Sequence, residues 1–178
     1  MRHVVLSMLI VAVAAVSPIS AQEATQEAIT LTEVVPASIG KVWRAVRASM
    51  AEVECTKPQV EQKPDEAPDG GFQRASYFSD YCVLAQGEDS TKSVIKRYSE
   101  VPRIRGGIWT TFRIQYKFNM KEIEGNQTKV ILRAQCSGYE EFITSETHFW
   151  NSNGTLEREM MARLLANIKK EIEGATQE

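Results

Sequence analysis

Histidine is nearly absent from this chain: there are two in 178 residues, His3 and His148. Only His148 lies beyond the first 21 residues, so a metal centre built from several imidazoles is excluded. The three cysteines, Cys55, Cys82 and Cys136, lack the close pair spacing of a thiolate site. No cofactor and no metal are therefore expected. Also missing are a G-x-S-x-G elbow, a phosphate-binding glycine loop and a dinucleotide fingerprint, and the pairs Gly70-Gly71 and Gly106-Gly107 read as turns. Basic residues are not in excess, with 21 Lys and Arg against 23 Asp and Glu. That balance disfavours nucleic acid as a partner, because such binding rests on basic surface. Past the N-terminal region no apolar run reaches the roughly 20 residues a membrane helix needs, so no transmembrane segment is expected in the mature chain.

What is present begins with Arg2 and His3, an apolar run from Val4 to Val16, and "SPISAQ", which offers Ala21 as a small residue before a cleavage point. Residues 1–21 read as a secretory signal peptide. The expected product is secreted or periplasmic, with a net charge of −3 once Arg2 is removed. Residues 22–27 and 174–178 read as flexible ends, and the length between them suits one domain with a real core.

An oxidising compartment favours one disulfide and one leftover thiol among three cysteines. Cys136 falls on the apolar side of a predicted strand, which suits a buried thiol and leaves Cys55 with Cys82 as the favoured pair, although connectivity is not fixed by sequence. Asn126 in "NQT" and Asn153 in "NGT" match the glycosylation acceptor pattern in predicted turns, but no sugar is predicted.

Periodicity then gives the elements. "AITLTEVV" alternates and is rich in β-branched residues, so it is a strand, ended by Pro36. With Ser38 as N-cap, Ile39, Val42, Trp43, Val46, Met50 and Val53 recur at steps of three and four, which is one face of a helix. The segment 54–71 is loop-like, with a short strand at "QVEQ". "FQRASYFSDYCVLA" and "SVIKRYSEV" read as strand-like. In "IWTTFRIQYKFNM", Ile108, Phe112, Ile114, Tyr116, Phe118 and Met120 share one side; after "EGNQ" the chain returns with Val130, Leu132, Ala134 and Cys136 on one face, making a hairpin. Trp109 falls on the outer side of this strand or near its start and could mark a contact surface. "HFWNSNG" reads as a link. Leu156, Met160, Met161, Leu164, Leu165, Ile168 and Ile172 form the apolar stripe of a last helix with Thr155 as N-cap and Gly174 as its stop.

A strand, a helix, a run of antiparallel strands and a long last helix, each with one apolar face, pack most economically as an α+β fold with a curved antiparallel sheet around the last helix. This order, the "VVPASIGKVWRAV" corner and the "SNGTLEREMMARLL" helix start resemble the START-like or polyketide cyclase (SRPBCC) superfamily across about residues 28–172, with a domain drawn at 28–173. The resemblance implies a helix-grip fold and a cavity between sheet and last helix for a hydrophobic small molecule or lipid. Some relatives are cyclases, aromatases or dehydratases.

The residues themselves nominate a ligand wall of Phe112, Tyr116 and Phe118 from the sheet and Met160, Leu164 and Ile168 from the helix, a set that a packed core would use equally well. The first expectation is a binding or carrier protein, more non-enzyme than enzyme. The alternatives are a cyclase or dehydratase-type enzyme and a protein-interaction domain with a closed core. An enzyme would need at least two of Asp80, Tyr81, Arg97, Tyr98 and His148 to point inward with shifted pKa values. His148 with Glu141 or Glu146 is a possible general base, though a partly exposed linker residue is the favoured reading. Protein partners are left open.

Overall fold

The computed structural model describes residues 27–64 and 71–174; of residues 88–91 only the backbone is described. The expected signal peptide, residues 22–26, the "DEAPDG" part of the loop and residues 175–178 lie outside the described residues.

The element order is β1 (Leu31–Val35), α1 (Ile39–Glu52), β2 (Pro58–Gln62), β3 (Arg74–Ser79), β4 (Cys82–Gln86), α2 (Glu88–Tyr98), β5 (Trp109–Ile123), β6 (Gln127–Glu140), β7 (Glu146–Asn151) and α3 (Thr155–Gly174). The fold is α+β, and α3 packs on a large antiparallel sheet. The β5–β6 hairpin is its spine. One edge of β6 is shared by β1, which pairs residues 128–132, and β7, which pairs residues 135–140. The free edge of β5 is divided in the same way between β3, followed by β2, and β4.

Alternation decides which side of the sheet is covered. Phe112, Ile114, Tyr116, Phe118 and Met120 of β5 and Val130, Leu132, Ala134 and Cys136 of β6 are all buried on the inner face. Onto that face α1 lays Val42, Trp43, Val46 and Met50, and α3 lays Leu156, Met160, Leu164 and Ile168. The two helices also join to each other: Asn167 Nδ2 donates to Ser49 Oγ at 3.0 Å in the interior, and Arg163 meets Glu52 at 3.0 Å outside it. Trp43 is core, with its ring edge-on to Tyr77 at 6.0 Å.

The corner before α1 is held by backbone geometry. Ser38 has extended φ and ψ as an N-cap should, yet its side chain makes no capping bond. Instead the turn is fastened from across the sheet, where the buried hydroxyl of Thr128 donates to Ala37 O at 2.8 Å.

Four expectations from periodicity are corrected. "SVIKRYS" belongs to α2: Val94, Ile95 and Tyr98 fall at helical steps, and Ile95 is fully buried, so docking overrides the β-branched composition. The "HFWN" link is strand β7, paired residue by residue with β6. Trp109 is 4 % exposed and not a surface marker, because a bulge between Trp109 and Thr111 shifts the register and turns the indole inward against Trp150, 5.2 Å away. The start of α3 is capped upstream of Thr155, by Asn153 Oδ1 accepting from Thr155 N at 3.1 Å.

Candidate functional site

A cleft of about 210 Å³ opens between the inner face of the sheet and the first turns of α3. Ile114 and Tyr116 form its floor, Leu156 and Met160 one wall, and Val83 and Leu84 of β4 the other. A bulge between Val83 and Ala85 breaks the alternation of β4, and both Val83 and Leu84 remain substantially exposed at the mouth. The polar members at the rim are already engaged: Glu159 with Arg97 at 3.2 Å, and Arg163 with Glu52 at 3.0 Å. A second depression of about 420 Å³ adjoins the cleft through the shared residues Val53, Cys82 and Val83.

The Cys55–Cys82 disulfide stands at that junction, with Cα atoms 5.6 Å apart, and ties the end of α1 to the start of β4. The remaining thiol, Cys136, is buried; burial in the first place, and then the nearby Glu157 carboxyl, push it up to about 12 despite a hydrogen bond with Ser99. That thiol is a packing group and not a nucleophile at neutral pH.

Of the six residues nominated as a ligand wall, Tyr116 and Met160 line the cleft. Phe112, Phe118, Leu164 and Ile168 are packed inside the core behind it, each at most 3 % exposed. Tyr116 is the polar group on the cleft floor. Burial, followed by the negative charges of Glu159 and Glu157, pushes its phenol well above the ordinary range, so it remains a neutral donor.

The residues nominated for catalysis do not converge. Tyr98 lines the cleft, while Asp80 and Tyr81 line the adjoining depression. Tyr81 reaches over the outer face, its hydroxyl 3.3 Å from Gln135 Oε1 and its ring 5.7 Å from Phe149; burial raises its phenol. Arg97 is an exposed ion-pair partner. His148 sits on β7 with its Nε2 2.7 Å from Thr144 Oγ1 and its ring 5.5 Å from Trp109, and neither Glu141 nor Glu146 is its partner.

Two buried carboxyls escaped the reading of the sequence. Glu157 reads as a dipole residue in the first turn of a helix, but it is fully buried and accepts from Ala134 N at 3.0 Å and from the Ser152 hydroxyl. Glu140 ends β6 and accepts from the backbone of Ile108, Phe142, Ile143 and Thr144 and from the Thr144 hydroxyl. Burial pushes the Glu140 carboxyl up, but the donors from Thr144, Phe142 and Ile108 outweigh it and hold it at about 2. Neither residue borders the cleft; both fasten chain segments. No signal in the sequence separates them from surface glutamates.

Among the described residues no cluster of His, Cys, Asp and Glu could hold a metal ion, and no helix is long and apolar enough to cross a membrane. No family model, curated protein or solved structure matches the chain.

Proposed function

We propose that the protein binds an apolar small molecule in the cleft between β4, β5 and α3, on a scaffold of the START-like, helix-grip kind, as an exported carrier. The observation that carries this reading is the cleft itself. It has an apolar lining of Val53, Val83, Leu84, Ile114, Leu156 and Met160 and a neutral phenol, Tyr116, at its floor. An apolar wall with few placed polar groups is the usual composition of a ligand pocket.

The mechanism is burial, at about 25 cal/mol for each Å² of apolar ligand surface removed from water. The phenol of Tyr116 orients the ligand by one hydrogen bond. At about 210 Å³ the cleft is smaller than the roughly 300 Å³ at which drug-sized sites begin, so the ligand is small or enters as the flexible Met160 side chain moves aside.

Native and denaturing mass spectrometry of the exported protein, followed by thermal shift with a panel of fatty acids and aromatic hydrocarbons, tests this. The expected result is a mass lost on denaturing or a raised Tm with one class of ligand, abolished in Met160→Trp, which fills the cleft. A clean apo mass together with an unmoved Tm across the panel would overturn the proposal.

A further inference from the structure

A recess of about 560 Å³ lies between α2 and the loop 101–108, and it shares no lining residue with the cleft. Its volume falls within the roughly 300–1,000 Å³ of small-molecule sites. The apolar lining is mostly aliphatic: Val101, Pro102, Ile104 and Ile108 are all half-buried there. Lys92 and Lys96, one helical turn apart, line it from α2, and Arg103 and Arg105, at alternate positions, line it from the loop. All four cations are exposed, and among the described residues none has an ion-pair partner.

Both walls are fastened to the rest of the fold. Within the loop, Ile104 N donates to Pro102 O and Gly107 N to Ile104 O, each at 3.1 Å. At its far end Ile108 N donates to Glu140 Oε1 at 3.1 Å and Ile108 O accepts from Glu141 N at 3.0 Å, which ties the loop to the β6–β7 connection. On the other side the fully buried Ile95 anchors α2. A recess formed in advance loses less free energy to ordering when a ligand enters.

We propose that this recess is a second binding site, for a single-chain amphiphile whose apolar body carries a phosphate monoester. The aliphatic lining receives the body, and the four cations meet the head. A phosphate monoester carries a charge of about −1.5 to −2 and three strong acceptor oxygens, so it engages more of these cations than a carboxylate can, with guanidinium groups suited to its geometry. Ile143 Cδ1 lies 3.7 Å from where a Cβ on Gly106 would stand, so the exposed Ile143 continues the apolar surface past the rim. A phosphate head also occurs on bilayer surfaces, and Phe142, beside Ile143, is exposed too. Yet Glu141, next to Phe142, and Glu100, next to Val101, are exposed as well and would meet an anionic bilayer with like charge. Neither glutamate lines the recess, so a single molecule seated in it is the better match.

Isothermal titration calorimetry of the full chain with octyl phosphate tests this. Saturable binding is expected, at least about tenfold tighter than that of inorganic phosphate, octanol or octanoate, and weakened by salt. The double substitution Arg103→Glu with Arg105→Glu should lower the affinity by about tenfold or more. Because both side chains are exposed and without an ion-pair partner, the urea midpoint of the free protein should not move. Met160→Trp, which fills the cleft, should bind octyl phosphate as the wild type does, so the two sites are told apart. The proposal is overturned by any one of the following outcomes: no binding of octyl phosphate, equal affinity for one of the three comparison compounds, tighter binding of adenosine 5′-monophosphate, unchanged affinity in the arginine double variant, or loss of binding in Met160→Trp. Cosedimentation with phosphatidate vesicles in the absence of octyl phosphate binding would likewise overturn it, by assigning the cations to a membrane surface.

Discussion

The backbone N–H of Ala134 donates to Glu157 Oε1 at 3.0 Å, at the point where β6 changes partner from β1 to β7. Leu132 is the last β6 residue paired with β1 and Gln135 the first paired with β7, so the ladder leaves a gap between them. A buried donor without a partner is costly, and the first turn of α3 supplies the missing acceptor. The other carboxyl oxygen accepts from Ser152, whose own oxygen accepts from Gly154 N at 3.0 Å, so one glutamate fastens the sheet, the β7–α3 connection and the helix start.

Replacing Glu157 by Leu should therefore cost about 1–3 kcal/mol or more, the penalty of stranding the Ala134 N–H and the Ser152 hydroxyl. Glu157→Gln keeps an acceptor for Ala134 and should lose less. Urea unfolding followed by tryptophan fluorescence gives the ranking; equal stability of the Leu variant and the wild type would mean the gap is bridged some other way.

Glu140 predicts a pH dependence of known sign. Its folded carboxyl is held at about 2, below the ordinary 4.5. The stability it contributes is thus complete above pH 4.5 and is lost as pH falls through 4.5 toward 2. Urea midpoints measured across that window should fall steeply in the wild type, and Glu140→Gln, less stable at neutral pH, should show a flatter decline.

Cys55 and Cys82 close a segment with a sequence separation of 27. In the chain-entropy account such a loop contributes about 3–4 kcal/mol, so the double substitution Cys55→Ser with Cys82→Ser should lower stability by roughly that amount. Alkylation at pH 8 provides a second readout. Under non-reducing conditions the folded protein should take up no label, and only unfolding should release the Cys136 thiol.

Gly138 has no room for a side chain. A Cβ there would sit 2.8 Å from Trp150 Cη2, 2.9 Å from the backbone oxygen of Thr111 and 3.0 Å from Trp109 Cε3. Because one of those neighbours is backbone, Gly138→Ala should cost about 1–3 kcal/mol and shift the near-ultraviolet dichroism of the two indoles. A variant as stable as the wild type would show that the aromatic cluster can move aside.

The sequence by itself determined the elements whose apolar positions keep one period over many residues. The alternation from Ile108 to Met120 and from Val130 to Cys136 marks the hairpin, and the three-four spacing from Ile39 to Met50 and from Leu156 to Ile168 marks the two long helices, because each pattern puts one continuous apolar face toward one core. The α+β class follows from their order. Tertiary structure decided everything that depends on a partner distant in sequence. A bulge turned Trp109 inward; docking of Ile95 made a helix of a β-branched segment; and pairing with β6 made a strand of His148 to Asn151. Packing also chose which nominated wall residues reach the cleft, burying Phe112, Phe118, Leu164 and Ile168 and leaving Tyr116 and Met160 at its surface. Periodicity reports which face of an element is apolar, but the register between strands and the fit of one helix on a sheet are set by contacts between residues tens of positions apart.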